Sequence, residues 1–393
     1  MHELLQKANV FADQLVALRR DLHRHPELSF QELRTAGLVA EQLRASGWRV
    51  RTGVGRTGLV AELGTGTPLV ALRADMDALP MQERSDHDYA SQVPGVMHAC
   101  GHDAHVSMLL GAALVLVQAD QTSPLRGTVR LLFQPSEEAA DEENKSGATR
   151  MIEDGAMQDV SAVFGLHVGA HLENGKAFIR AGPYMAGTDT FAIRVEGRSA
   201  HAARPHEGVD AVVLAAHLVL ACQNIVARRI SPLQSAVLSI GTVNGGVAEN
   251  VIAETVTLKG TLRYYDDAVR RMLHHELRSA LAVATALGGR ATLDLRPGYP
   301  AVVNDEHVTS LARTAAQQVL GPDAIAHYEP MMTAEDFSFL ARQAPGCFFW
   351  LGAALEPARE HHQPNFDIDE SILPRGAALL AACALQFLEE HAR

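Results

Sequence analysis

Cysteine is scarce in this 393-residue chain: Cys100, Cys222, Cys347 and Cys383 lie far apart, with no CxxC pair. That spacing excludes a disulfide framework and a zinc ribbon, and it suits a reducing, cytoplasmic setting. Basic charge is also in short supply. Lys and Arg total 34 against 46 Asp and Glu, a net charge of −12, and only 4 of the 34 are lysines. A dedicated nucleic-acid binder, with its basic footprint, is excluded. The longest nearly apolar run, residues 106–117, has 12 residues and contains Ser107 and Gly111, short of the roughly 20 that a spanning helix needs. The first residues alternate charge and apolar positions at helical spacing and lack a signal peptide's apolar stretch and cleavage site. Neither export nor a membrane partner is expected. Histidine, by contrast, is abundant at 19 residues, which points to metal or proton chemistry.

At roughly 150 residues per domain, the length suggests two or three domains. Helices are expected at 3–22 and 27–46, with Pro26 placed where the first turn of the second tolerates it. Short apolar strands follow at 59–63, 69–74, 128–133, 162–167 and 176–180, with helices at 104–118 and 146–154 among them. This interleaving predicts an α/β fold with a mixed sheet covered by helices. From about residue 185 the rhythm becomes strand 188–195, helix 208–229, strands 236–243 and 254–264, helix 266–287 and strand 290–295. That is the β-α-β-β-α-β order of a ferredoxin-like unit. Arg296-Pro297-Gly298-Tyr299-Pro300 reads as a hinge back into α/β material ending in a helix at 370–390. The expected organisation is a larger domain of residues 1–184 and 298–393, interrupted by a small domain of residues 185–297.

The densest chemistry is His98-Ala99-Cys100-Gly101-His102-Asp103-Ala104-His105, ahead of an apolar helix. In an extended segment, residues two apart face the same side, so Cys100 and His102 can hold one ion together. Asp103 suits the cap of the following helix. Glu137 and Glu138 leave the strand 128–133 at its carboxyl end, where open α/β sheets place their sites. Because adjacent side chains diverge, one can ligate a metal while the other exchanges a proton. His167 ends a strand and His362 follows another. Asp75 and Asp77, leaving the strand at 69–74, are suited to orient ligating histidines. One thiolate, three imidazoles and one carboxylate are enough for two ions sharing a bridging group, a pair able to generate hydroxide and stabilise an oxyanion. His23, His25, His98 and His105 are expected to be structural, and Cys222, Cys347 and Cys383 to be core.

The segments LRRDLHRHPELSF, ALRADMDALP, HACGHDAH, LLFQPSEE, GLHV, GRSAHAARPHEGVDA, GGVAENVI, GTLRYYD, AEDF and HQPNFD occur in this order along nearly the whole chain. In them the sequence resembles the aminoacylase/carboxypeptidase family of dinuclear metallohydrolases. The resemblance is strongest to its N-acyl-amino-acid amidohydrolase branch, with hippurate and auxin-conjugate hydrolases. It implies a catalytic domain interrupted by a lid and dimerisation domain, and hydrolysis of N-acyl-L-amino acids to a carboxylate and a free amino acid. Two divalent ions per subunit (Zn²⁺, Mn²⁺, Co²⁺ or Ni²⁺) are implied, with Cys100 bridging and His102, Glu138, His167 and His362 as further ligands. Glu137 falls at the general-base position. His201 falls at that of a carbonyl-oxygen donor, and Asn250 and Arg263 at positions that hold the substrate's carboxylate. A homodimer, and a small N-acyl amino acid or short peptide as substrate, follow from the same likeness. The alternatives are a metallocarboxypeptidase and, against the retention of Glu137 and His201, an inactive metal-binding homologue. Where the family commonly has Pro and a hydrophobic residue, this chain has Ala253 and His361, and the stretch 139–146 is long.

Overall fold

The computed structural model describes residues 2–391. It divides into two compact units. One runs to Gly182 and resumes over Val303–Glu329 and from Asp336 onward; the other comprises Pro183–Val302 and Pro330–Glu335. Each has its own cluster of buried apolar side chains. The short excursion Pro330–Glu335 into the second unit had no signal in the sequence.

The first unit opens with α1 (His2–Asn9), α2 (Ala12–Arg24) and α3 (Leu33–Ala45). The single helix expected over 3–22 is broken at Val10 and Phe11. Their N–H groups close turns on Lys7 and Ala8, and the Phe11 carbonyl starts a new ladder by accepting from Leu15. The expected helix from 27 begins only at Leu33. The Glu27 carbonyl accepts from Ala78 N–H at 2.8 Å, while its carboxylate accepts the N–H groups of Arg34 and Thr35 at 2.9 and 2.8 Å. Glu27 thus stays outside the helix and satisfies two of the orphan donors of α3.

The sheet of this unit contains β1 (Arg49–Val54), β2 (Gly58–Gly64), β3 (Leu69–Asp75), β4 (Thr128–Gln134) and β5 (Ala162–Gly169). It runs β1-β2-β4-β3-β5, then Gly346–Gly352, Ala177–Phe178 and Ile325–Ala326. β4, β3, β5 and Gly346–Gly352 are parallel neighbours, so their carboxyl ends share one edge. β3 and β5 are buried along their whole length, as apolar runs in a helix-covered parallel sheet require. The mixed α/β sheet agrees with the sequence reading. β1, with its exposed polar positions, was not anticipated.

Helix α4 (His102–Thr122) and the helix Leu373–His391 pack on this sheet. By length and composition, His102–Thr122, Ala211–Arg228 and Glu370–His391 are apolar enough to cross a membrane, which corrects the inference drawn from uninterrupted run length. For the first and last, the apolar residues lie in the unit's own core.

The second unit pairs four antiparallel strands in the order Arg290–Pro297, Gly187–Glu196, Thr255–Tyr264, Ala236–Gly245. With helices Ala211–Arg228 and Asp267–Ala280, this is the β-α-β-β-α-β order read from the sequence. Asp210 caps the first helix by accepting Val212 N–H, and Asp266 caps the second by accepting from Ala268 and Val269, as N-cap carboxylates do. The last strand continues through Pro297, so the proposed hinge segment begins as β-structure.

Candidate metal centre

The parallel strands deliver the candidate residues to one edge. Asp75 ends β3, with Asp77 two residues on; Glu137 and Glu138 follow β4; His167 lies near the end of β5. Cys100 and His102 arrive differently from the expected extended segment. Gly101 between them adopts φ +91° as the N-cap of α4, and His102 is the first helical residue. A left-handed conformation favours glycine, and a side chain here would also strike Val168. Asp103 is not the cap; it accepts from Arg19 Nε at 2.9 Å inside the fold.

The donor groups that result, the ligand atoms of each lying within 4.8 Å of one another, include Cys100, His102 and His167; Cys100, Glu138 and His362; and His102, Glu137 and Glu138. Cys100 is common to the first two. The histidines are held in the required tautomer by local backbone. His102 donates its Nδ1–H to the Asp77 carbonyl and His167 its own to the Val168 carbonyl, both at 2.8 Å. Each therefore turns Nε2 to the site as its ligating nitrogen. His167 Nε2 lies 3.5 Å from Cys100 Sγ. His362, at φ +57°, brings Nε2 to 3.3 Å from Glu138 Oε1.

The carboxylates predicted as supports make specific contacts. Asp77 accepts the backbone N–H groups of Glu137 and Glu138, each at 3.1 Å, and the Ser29 hydroxyl at 2.7 Å. One buried carboxylate therefore sets the direction of both glutamates. Asp75 binds His105 Nδ1 at 2.6 Å and Arg73 at 2.7 Å; His105 Nε2 in turn accepts Val168 N–H. Both His105 nitrogens are used, so its role is to prop β5 rather than to ligate.

Arg73 and Glu32 escaped the sequence reading as supports, whereas Asp336 was a candidate. Buried Arg73 also binds Asp336 and Gln134, each at 2.9 Å. Glu32 accepts Ser136 N–H at 2.9 Å and the Thr57 hydroxyl. Ser136, at φ +45°, is thereby held just before Glu137. Burial and then Asp77 push the Glu32 carboxyl up to about 7. Glu32 fell in a stretch that the pattern assigned to a helix, which hid its contacts.

The donor set fits divalent cations. Among the described residues, His102 Nε2 is buried without a hydrogen-bond partner, a costly arrangement unless a ligand satisfies it. The charge balance points the same way. Burial pushes the Cys100 thiol well up, and Glu138, Glu137 and Asp75 push it further. Burial alone would lower His102, but Asp75, Asp77 and Glu138 raise it to about 10. Concentrated negative charge holds protons on both groups, and a cation among them reverses this.

A pH dependence follows. Because His102 and Cys100 must shed protons to ligate, metal uptake releases protons. Apparent affinity should rise with pH between 5 and 8 by about tenfold per unit for each proton released. Calorimetric titration in buffers of different ionisation enthalpy measures this; proton-neutral binding would contradict the assigned donors.

His201, Asn250 and Arg263 belong to the second unit. Ala202 N–H donates to the Asn250 carbonyl, which brings the loops of His201 and Asn250 together. His201 Nδ1 accepts from Ala203 N–H at 3.0 Å, so its proton sits on Nε2 as an outward donor. Arg263 is half-buried, donating to the carbonyls of Met332 and Leu262 and to the Thr188 hydroxyl.

Residues 71–386 match the family model described as Peptidase family M20/M25/M40. An Arabidopsis thaliana protein named IAA-amino acid hydrolase ILR1-like 2 is 40% identical over 398 residues, covering 99% of this chain and 88% of that protein. The Bacillus subtilis N-acetyl-L-cysteine deacetylase is 38% identical over 385 residues, covering 96% and 89%. Among solved structures, a Bacillus subtilis dinuclear metal-binding peptidase superposes with a TM-score of 0.84 at 34% identity, covering 97% of this chain and 99% of that one.

Proposed function

This chain belongs to peptidase family M20/M25/M40 and is a metal-dependent amide hydrolase; we propose that its substrates are N-acyl-L-amino acids, cleaved to a carboxylate and a free amino acid. The observation that carries this reading is the sharing of Cys100 by two donor groups with Glu137 beside them. In it, Cys100, His102 and His167 would hold one divalent ion, and Cys100, Glu138 and His362 would hold a second. Two divalent ions held there would supply Lewis acidity to polarise the amide carbonyl and to acidify the attacking water.

Glu137 takes the proton of the attacking water and passes it to the amide nitrogen as the C–N bond breaks. Asp77, holding the Glu137 and Glu138 N–H groups, keeps base and ligand pointed apart. His201 offers Nε2–H to the carbonyl oxygen as it gains charge. Asn250 and Arg263 receive the substrate's carboxylate, for which a guanidinium fork is suited. The mixed thiolate, imidazole and carboxylate set accepts Zn²⁺, Co²⁺, Ni²⁺ or Mn²⁺. The apolar helix face with Val212, Val213 and Leu220 at least half exposed supports assembly as a homodimer through the second unit.

The deciding experiment measures hydrolysis of a panel of N-acyl amino acids and of unblocked dipeptides after reconstitution with each metal. At least a tenfold higher kcat/KM for an N-acyl amino acid is expected. Preference for the dipeptides would make the protein a carboxypeptidase-like enzyme. No hydrolysis of either class with two ions bound would overturn the assignment.

A further inference from the structure

A second convergence of ligand atoms lies in the first unit, in residues the proposed reaction does not use. His23 projects from α2, and Glu83 and His87 come from the loop that follows β3. One ring nitrogen each of His23 and His87 and a Glu83 carboxylate oxygen lie within 4.8 Å of one another.

Each side chain is oriented from behind. His23 Nδ1 is 2.7 Å from Asp103 Oδ2, the carboxylate–histidine pairing that fixes a ligating imidazole and raises its basicity. Nε2 faces Glu83 Oε1 at 3.3 Å, a gap that either a proton or a metal ion can close. Glu83 Oε2 accepts Ser91 N–H at 2.6 Å, leaving Oε1 turned inward. His87 stacks on Tyr89 at 3.8 Å between ring centroids, and its Nε2 is also 3.3 Å from Glu83 Oε1.

Electron-rich atoms are thus aimed at one point. Neither His87 nitrogen makes a hydrogen bond among the described residues, although both are buried. Two buried ring nitrogens without a hydrogen bond call for an explanation. A proton shared between His23 and Glu83 would satisfy that pair and leave His87 stranded. A metal ion satisfies all three. Ligands about 2.0–2.1 Å from a tetrahedral Zn²⁺ stand about 3.3 Å apart, the spacing both histidines keep from Glu83 Oε1. Two imidazoles and one carboxylate make a recognised zinc set with a fourth position open to solvent.

The geometry points to a third metal site, formed by His23, Glu83 and His87 and taking a zinc-type divalent transition ion, that clamps the loop after β3 to α2. The same loop reaches the segment that carries His362: Arg84 N–H donates to the Pro364 carbonyl at 2.7 Å. The ion's role is therefore to stiffen a wall of the first unit rather than to take part in hydrolysis.

Zinc counting tests this in the full-length protein, after equilibration with Zn²⁺ and removal of free metal. Wild type is expected to hold one more ion per chain than His87→Ala, and Glu83→Gln should match His87→Ala. The same one-ion difference is expected in a Cys100→Ala background, where the active-site ions are disrupted, so failure of the two-metal reading would not obscure the result. Circular dichroism identifies any variant that fails to fold, and the other variant then gives the count. Equal zinc content in wild type and in the folded variants of both backgrounds would overturn the proposal.

Discussion

Glu137→Gln is expected to lower kcat by about 10³-fold, within the range that a positioned general acid–base contributes, while bound metal stays at the wild-type level. Glutamine keeps the shape of the side chain. The backbone N–H of residue 137, held by Asp77 at 3.1 Å, is untouched, so the loop after β4 keeps its course. What is lost is the group that receives a proton from water and returns it to the leaving nitrogen. The control is Glu138→Gln, which removes a charged donor from the group containing Cys100 and His362 and should lose metal and activity together. Metal analysis alongside steady-state kinetics separates the two. Loss of an ion from Glu137→Gln would move Glu137 into the ligand set.

Arg19→Met should bring the second large effect, on stability. Arg19 is completely buried and binds Asp103 and Asp367 at 2.9 Å and Glu370 at 3.2 Å. Methionine fills much of the space but leaves buried carboxylates without their cation, a loss of about 3–5 kcal/mol. For a unit of this size that lowers Tm by on the order of 10 °C. The sign of the pH dependence is determined by Asp103. Burial pushes its carboxyl up, but Arg19 and then His23 outweigh this and hold it well below the usual carboxylate range. A depressed folded value means the stabilisation is fully present above the unfolded value of about 3.9 and disappears only as pH falls through the folded one. The Asp103 share of the Tm gap should therefore be fully present at both pH 5 and pH 8, while any difference between the two pH values reports His23, which is bonded to Asp103. A drop of less than 2 °C at both would show that this buried network contributes little.

Much of this was legible in the chain. A parallel strand buried on both faces reads as an apolar run, and helix interiors repeat at their own period, so β3, β4, β5 and α4 were visible and with them the edge where Asp75, Glu137 and His167 gather. The inserted β-α-β-β-α-β unit was equally plain. The opening helices were not. Whether Val10 continues a helix or breaks it, and whether Glu27 enters one or caps the next, depends on partners such as Ala78 that local periodicity cannot represent. The Cys100–His102 pair was found for an incomplete reason: Gly101 turns the chain through a left-handed residue, and the two donors meet across that turn.

By itself the sequence determined the donor types, their order and the alternation of elements that carries them to one sheet edge, because side-chain chemistry and hydrophobic period are local properties. Only the tertiary structure decided which nitrogen of each histidine is turned toward its neighbouring ligand groups. The carbonyls of Asp77 and Val168 take the Nδ1 protons of His102 and His167, and Asp103 faces Nδ1 of His23. Except for Val168, these partners lie 25 to 80 residues away in the chain. Tertiary structure also decided that His23, Glu83 and His87 meet at all. Ligation requires a lone pair aimed at a point in space, and that direction is imposed by hydrogen bonds formed after distant segments have packed.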